Sequence, residues 1–121
     1  MCGINAIVGS GHLERAFVDQ HVYIMANATK HRGVPEAFNE RMTLDKCVLS
    51  VNRLPITSDL DEKQPAINED GTVLAILNGE IYNYKSLRAG LLSRGHKFKT
   101  NSDTEVLVHM YEENGVNMVR S

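Results

Sequence analysis

The start of the chain, Met1-Cys2-Gly3-Ile4, combines the groups best suited to nucleophilic chemistry. Removal of Met1, which is favoured when the second side chain is small, would leave the Cys2 thiol and a free α-amine on one residue. A thiol attacks as the thiolate and has an ordinary pKa of about 8.5, so it needs a base nearby. The α-amine, with an ordinary pKa of about 8, can be that base. The alternative is a frayed terminus without a role.

Size and charge limit the other classes of function. The 121 residues are 42% hydrophobic, which fits one domain over residues 1–121 that can bury a core. Its 13 basic and 15 acidic residues are well mixed and give a net charge of -2, so no basic face for nucleic acid is expected.

Cysteine content and hydropathy indicate the compartment. Cys2 and Cys47 form no disulfide framework and have no partners at zinc-finger spacing, so a reducing cytoplasm fits best. Cys47 itself is expected to be a small core residue. The sequence shows neither a secretory signal nor an apolar run of membrane-spanning length, so no membrane partner is expected.

Apolar runs and turn residues predict an α+β domain. Strands are predicted over Gly3–Val8 and residues 47–51, the second prolonged as extended chain by Arg53-Leu54-Pro55-Ile56. Asp70-Gly71 lies between two apolar runs and predicts a hairpin of residues 66–68 and 72–77, and residues 97–100 alternate like a strand. The polar residues 58–64 are expected to form a surface loop or a mobile lid.

Three helices are predicted from apolar spacing and caps. The first begins near Leu13 and ends at His31-Arg32-Gly33; the second follows a candidate N-cap at Asn83 and ends before Gly95. The third follows Ser102-Asp103-Thr104-Glu105, which has the pattern of a capping box, and ends at Asn114-Gly115. The apolar faces expected for the first and second helices are Leu13, Ala16, Phe17, Ile24, Met25 and Ala28, and Tyr84, Leu87, Leu91 and Leu92. Because a hairpin interrupts the alternation of strands and helices, antiparallel or mixed sheet is favoured.

Several segments in order resemble one family. These are Met1-Cys2-Gly3-Ile4, His31-Arg32-Gly33, Arg53-Leu54-Pro55-Ile56, Asn78-Gly79-Glu80-Ile81-Tyr82-Asn83-Tyr84 and Ser102-Asp103-Thr104-Glu105. Together they resemble the class II glutamine amidotransferase domain. The amino-acid sequences of residues 78–83 and of Lys63-Gln64-Pro65 are similar to those in the glutaminase domain of glutamine-dependent asparagine synthetases.

The resemblance implies a fold and a catalytic set. The fold would be the αββα sandwich of N-terminal nucleophile hydrolases, with antiparallel sheets between helical layers. Cys2 would attack the side-chain amide of glutamine and form a thioester, while the Asn78 side chain and the Gly79 N–H would stabilise the oxyanion. Taken alone, Asn78-Gly79 could be only a turn.

The resemblance also implies a clamp for the amino-acid end of glutamine. Arg53 would bind the α-carboxylate, Glu80 and Asp103 would receive the α-ammonium, and Leu54 and Ile56 would complete the substrate site. Without the resemblance, Arg53 could be a surface charge and Asp103 a favourable anion in the first turn of a helix. His31 and Arg32 are expected to be structural, and His12, His21, His96 and His109 to be surface or packing residues without a metal.

Partners and cofactors follow from the same resemblance. The ammonia would serve a synthetase or other acceptor domain missing from this chain, and ATP and Mg are implied only for that domain. The family continues with further strands beyond Ser121, so an incomplete sandwich is expected, and a homo-oligomer is possible. Two alternatives stay open: a catalytically silent glutamine-binding fragment, and a glutaminase domain serving a sugar-phosphate or phosphoribosyl acceptor.

Overall fold

An antiparallel three-stranded sheet carries the N-terminal residues. The computed structural model describes residues 2–34, 40–44, 46–54 and 64–120. Strands β1 (Gly3–Val8), β2 (Glu40–Thr43) and β3 (Cys47–Asn52) pair in the order β1-β3-β2, with Gly3 opposite Asn52 and Val8 opposite Cys47. Because of this register, Cys2 and Arg53 lie side by side at one end of this sheet. β1 and β3 confirm the predicted strands, whereas β2 was missed because its sequence, Glu-Arg-Met-Thr, lacks an apolar alternation.

Helix α1 (Arg15–Thr29) packs on this sheet through a different face from the one expected. Val18, Val22 and Ala26 are buried at four-residue spacing, and Val18 and Val22 pack with Val48 of β3. Phe17 and Ile24, placed on the core face by the sequence analysis, are instead 50% and 55% exposed. Ala16 and Ala28 are exposed as well, so the prediction was wrong for these four residues, whereas Leu13 packs against the core as expected. Small β-branched side chains allow the helix to approach the sheet more closely than Phe17 would.

A buried polar network fixes the end of α1 against the start of β1. The Thr29 hydroxyl accepts hydrogen bonds from Asn5 Nδ2 at 3.1 Å and Asn52 Nδ2 at 2.8 Å. Asn52 is fully buried and Asn5 is 5% exposed. A Cβ added to Gly3 would lie 2.6 Å from the Thr29 Cβ, so only glycine allows this approach. The network thus sets the position of the residue that follows Cys2.

The predicted hairpin forms the second sheet. β4 (Ala66–Ile67) and β5 (Leu74–Ala75) pair antiparallel, although β5 is shorter than the predicted 72–77. Gly71 has φ +79°, which is the left-handed conformation that glycine favours. In the turn, Asp70 Oδ1 accepts hydrogen bonds from the Thr72 hydroxyl and backbone N–H, and these bonds lower the pKa of the Asp70 carboxyl.

Helices α2 (Tyr84–Ser93) and α3 (Asp103–Asn114) pack against each other. Leu91, Val106 and Met110 form their core, with Leu87 and Tyr84 packed against it, whereas Leu92 is 44% exposed and lies off the predicted face. Asn83 is the N-cap of α2 without a side-chain cap hydrogen bond, and Gly95, with φ +101°, follows its end as predicted. After Gly115 the chain continues as a 3₁₀ helix to Arg120.

Only half of the predicted capping box of α3 forms. Ser102 Oγ accepts a hydrogen bond from Thr104 N at 3.2 Å, which confirms it as the N-cap. The Glu105 side chain does not return to Ser102. It accepts instead from Lys99 N at 2.6 Å and Thr100 N at 2.7 Å, and it is 2% exposed.

This role of Glu105 also overturns the strand predicted at residues 97–100. These residues are irregular, because the backbone N–H groups of Lys97, Lys99 and Thr100 are taken by the carboxylates of Glu69 and Glu105. Arg53 and Leu54 likewise follow β3 without belonging to it. Cys47, at the start of β3, is half-buried.

Helices together with antiparallel sheets confirm the α+β class. Several predicted features lie outside the described residues, namely the fate of Met1, the positions of Pro55 and Ile56, and residues 58–63 of the loop. Within the described ranges, no helix is long and apolar enough to cross a membrane.

Candidate active site

Cys2 lies at the end of β1, next to the residues that follow β3. It is 9% exposed, and its sulfur accepts a hydrogen bond from Leu54 N at 3.3 Å. The sulfur also lies 3.9 Å from the Leu54 carbonyl oxygen. The Leu54 backbone therefore contacts the Cys2 sulfur and fixes where this side chain lies.

The backbone nitrogen of Cys2 contacts the segment that follows β5. It donates a hydrogen bond to Asn78 Oδ1 at 2.8 Å, across 76 positions of sequence. Within the described ranges Asn78 Nδ2 has no hydrogen-bond partner, so its N–H groups can donate to an incoming oxygen. One hydrogen bond therefore joins Cys2 to the amide that the resemblance assigns to the oxyanion.

The turn after α1 contacts the Cys2 backbone. Arg32, in the 3₁₀ turn Lys30–Arg32, donates from Nε to the Cys2 carbonyl at 2.9 Å. A Cβ on Gly33 would lie 2.8 Å from the Arg53 carbonyl oxygen, and Val34 N donates to the same oxygen at 2.8 Å. Both contacts agree with the structural role predicted for this segment.

Asp103 is a buried carboxylate at the first turn of α3. Its Oδ2 accepts a hydrogen bond from Ile81 N at 2.8 Å and its Oδ1 accepts from the Thr104 hydroxyl at 3.4 Å. The residue is 8% exposed, and it makes no ion pair with any residue in the described ranges. A buried carboxylate without a cation is costly unless a ligand supplies the positive charge.

The remaining predicted residues lie between these anchors. Arg53 is 2% exposed and directly precedes Leu54, whose backbone contacts the Cys2 sulfur. Gly79 and half-buried Glu80 lie between Asn78, which is bound to Cys2, and Ile81, which is bound to Asp103. The structure thus brings Cys2, Leu54, Asn78 and Asp103 into one connected region, whereas Ile56 is outside the described residues.

Sequence reasoning missed a residue that positions Asn78. The Gln64 side chain accepts from Leu77 N at 3.0 Å, and its Nε2 lies 3.4 Å from the Leu77 oxygen and 3.2 Å from the Thr104 hydroxyl. It thereby ties the residue before Asn78 to the residue after Asp103. Gln64 belongs to the segment Lys63-Gln64-Pro65 on which the resemblance drew, but no role was given to its side chain.

Comparisons with known proteins assign the family. Residues 1–121 match the family described as the glutamine amidotransferase domain. The chain is 40% identical, over 98% of its length, to asparagine synthetase [glutamine-hydrolyzing] 2 of Bacillus subtilis strain 168, and 39% identical to the Sandersonia aurantiaca asparagine synthetase [glutamine-hydrolyzing]. It spans only 16% and 22% of the length of these two relatives. The chain belongs to the glutamine amidotransferase domain family and is homologous to the corresponding region of glutamine-hydrolysing asparagine synthetases.

Proposed function

We propose that this chain, once Met1 is removed, hydrolyses L-glutamine to glutamate and ammonia with Cys2 as the nucleophile. The observation that carries the proposal is the 2.8 Å hydrogen bond from Cys2 N to Asn78 Oδ1. It supports the proposal because it directly joins the residue proposed to attack and the amide proposed for the oxyanion. An α-amine can make the same bond as the backbone N–H, so the contact is compatible with a processed chain.

The first half of the reaction acylates Cys2. The α-amine takes the thiol proton, and the sulfur, which receives the Leu54 N–H at 3.3 Å, attacks the amide carbon of glutamine. A C–S bond forms, and the oxygen becomes an oxyanion bound by Asn78 Nδ2 and the Gly79 N–H. When the C–N bond breaks, the ammonium form of the amine returns a proton to the leaving nitrogen, and ammonia departs.

The second half restores the enzyme. Water, deprotonated by the same amine, adds to the thioester carbon, and the oxyanion again binds Asn78 and Gly79. Collapse of this intermediate breaks the C–S bond and releases glutamate and the thiol. No redox step occurs, and the two half-reactions need no cofactor.

Opposite charges at the two ends of the site would select an amino acid. Arg53 would bind the α-carboxylate, with Leu54 and Ile56 beside it, and Asp103 and Glu80 would bind the α-ammonium. The buried Asp103 carboxylate supports this assignment, because within the described ranges it has hydrogen bonds but no ion pair. Removal of a clamp residue is therefore expected to weaken glutamine binding more than it slows the chemical step.

The relatives suggest where the nitrogen goes. Their names describe glutamine-hydrolysing asparagine synthetases, so we assign the ammonia to amide synthesis by a synthetase domain that uses ATP and Mg and is absent from these 121 residues. An acceptor of the sugar-phosphate or phosphoribosyl type is the alternative that the glutaminase site alone would also serve.

The direct test is release of glutamate and ammonia by the purified chain. The unsubstituted chain and Cys47→Ala should both hydrolyse glutamine, whereas Cys2→Ala should be inactive and still bind it. Hydrolysis by Cys2→Ala equal to that of the unsubstituted chain would remove Cys2 from the mechanism. A processed chain that binds glutamine without hydrolysing it would make this a silent binding fragment.

A further inference from the structure

Four side chains from three segments converge on the far side of α3 from Asp103. Glu69 comes from the hairpin turn, His96 from the connection between α2 and α3, and His109 and Glu112 from α3. One ligand atom from each lies within 4.8 Å of all the others. From the sequence both histidines were expected to be surface or packing residues, because neither shows a ligand pairing there; Glu69 is 27 and 40 positions away from them.

The distances between these atoms match the coordination shell of a small cation. His109 Nδ1 lies 3.2 Å from both Glu69 Oε2 and Glu112 Oε2, and His96 Nδ1 lies 3.7 Å from Glu69 Oε1 and 3.5 Å from Glu112 Oε2. Ligands about 2.0–2.1 Å from a tetrahedral ion lie about 3.4 Å apart. The four nitrogen–oxygen separations are close to this value, and small side-chain movements would bring all four residues onto one ion.

The opposite nitrogens of both imidazoles face other carboxylates. His96 Nε2 lies 3.3 Å from Glu113 Oε1, and the fully buried His109 Nε2 lies 3.7 Å from Glu105 Oε1. Among the described residues His109 Nε2 has no hydrogen-bond partner. With an ion bound at Nδ1, the proton of each imidazole would lie on Nε2 beside these carboxylates, as in carboxylate–histidine–metal sites.

The two carboxylate ligands are held from outside in the same way. Glu69 Oε1 accepts from Lys97 N at 2.7 Å, and Glu112 Oε1 accepts from Asn68 Nδ2 at 2.8 Å. These bonds fix the carboxylates while leaving each the capacity to bind a cation. Glu69, His96 and Glu112 also line a surface cavity of about 400 Å³, which gives an ion access from solvent.

We propose that Glu69, His96, His109 and Glu112 form a structural site for one divalent transition-metal ion of the zinc class. Two imidazole nitrogens and two carboxylates suit such an ion, and the two carboxylate charges balance it. The ion would fasten the hairpin turn and the α2–α3 connection to α3. These are the elements that position Asn78 and Asp103, so the site would support the active site without taking part in the reaction.

The test is metal titration of the chelator-treated 121-residue chain by calorimetry with Zn²⁺ and by visible absorption with Co²⁺. We expect one equivalent to bind and the Co²⁺ spectrum to have the intensity of a tetrahedral site. His96→Gln, at a partly exposed position, should weaken binding by more than the about 10–100-fold typical of losing an outer-shell partner. Glu113→Gln should fall within that range, and His21→Gln on α1 should have no effect.

Two outcomes would overturn the proposal. The first is that the unsubstituted chain binds no metal, or that His96→Gln binds it equally well. Either result would make the cluster a histidine–carboxylate ion-pair network only. The second is a thiolate charge-transfer band with Co²⁺ that disappears in Cys2→Ala, which would place the ion at the nucleophile. Circular dichroism of His96→Gln establishes that a loss of binding is not a loss of fold, and none of these readouts depends on glutamine hydrolysis.

Discussion

At the scale of single residues, the nucleophile and its proposed oxyanion donor are positioned by the same hydrogen bond. Cys2 N holds Asn78 Oδ1, so the amide cannot rotate without losing this bond. Preorganised donors of this kind stabilise charge that appears only in the transition state. We therefore expect Asn78 to affect the rate of hydrolysis rather than glutamine affinity.

Asn78→Ala tests this assignment. It should lower kcat for glutamine hydrolysis by about 10²–10³-fold and change KM little. Asn83→Ala is the matched control, because that exposed asparagine makes no side-chain cap hydrogen bond. Equal losses in kcat and in glutamine affinity would show that Asn78 only shapes the site.

Asp103→Asn tests the ammonium clamp with an isosteric change. The side-chain oxygen of asparagine can still accept the Ile81 N–H, so the local structure should be kept while the charge is removed. Steady-state kinetics should show KM for glutamine raised by at least about 10-fold, within the range of losing a charged hydrogen bond. Asp19→Asn on the exposed side of α1 should leave KM unchanged, and an unchanged KM in Asp103→Asn would exclude Asp103 from the clamp.

At the scale of elements, the close approach of α1 and β1 determines where Cys2 can lie. Gly3 meets the Thr29 Cβ at a distance that leaves no room for a methyl group, and Asn5 and Asn52 hydrogen-bond to the same threonine. Overpacking at such a point typically costs about 1–3 kcal/mol. The position of the nucleophile thus depends on packing one residue away.

Gly3→Ala should lower the midpoint of thermal unfolding and also slow glutamine hydrolysis, because the displaced strand moves Cys2 from Leu54 and Asn78. Gly11→Ala is the control, since a Cβ there meets nothing within 4 Å. Thermal unfolding and initial rates measured together check the coupling. An unchanged rate in Gly3→Ala would show that Cys2 is positioned independently of α1.

The same elements show what the sequence could predict. The predictions made from turn and cap residues were confirmed at Gly71, Gly95 and Ser102, because the conformations of these residues depend on near neighbours. The buried face of α1 was predicted only in part, because contact with the sheet buries the small residues Val18, Val22 and Ala26 rather than the larger Phe17 and Ile24. Residues 97–100 alternate like a strand, but carboxylates take their N–H groups, and no local pattern shows that.

The candidate site shows the same division. Cys2, Arg53, Asn78 and Asp103 could be proposed from the sequence because they lie in short motifs. The supporting polar residues Thr29, Asn52 and Gln64 act across 13 to 40 positions of sequence, and the cluster around His109 draws on three separate segments. The His109-x-x-Glu112 spacing, which places both on one helical face, was the signal available.

At the scale of the molecule, the proposed site lies where segments next to the two sheets meet. Cys2 precedes β1 and Arg53 follows β3, while Asn78 follows β5 and Asp103 begins α3. The chain spans about a fifth of the curated relatives it matches, yet it contains every residue proposed here for glutamine hydrolysis. A ligand that contacts both parts should therefore stabilise the molecule as a whole.

Glutamine should raise the unfolding temperature of Cys2→Ala, in which no turnover occurs. Ligand at 100 times its Kd adds about 2.7 kcal/mol to the free energy of unfolding. Asparagine, one methylene shorter, is the control and should stabilise less, and the double variant Cys2→Ala, Asp103→Asn should lose most of the effect. An equal shift with both amino acids would mean that the site does not select glutamine.

Intact-mass measurement tests whether Cys2 is a processed and reactive nucleophile within a formed glutamine site. The purified chain is weighed before and after incubation with an electrophilic glutamine analogue that alkylates attacking thiols. We expect Met1 to be absent and one adduct to form at Cys2. Excess glutamine should prevent this adduct, and Cys47 should stay unmodified. A processed chain that takes up no adduct, or takes it up at Cys47, would contradict this expectation.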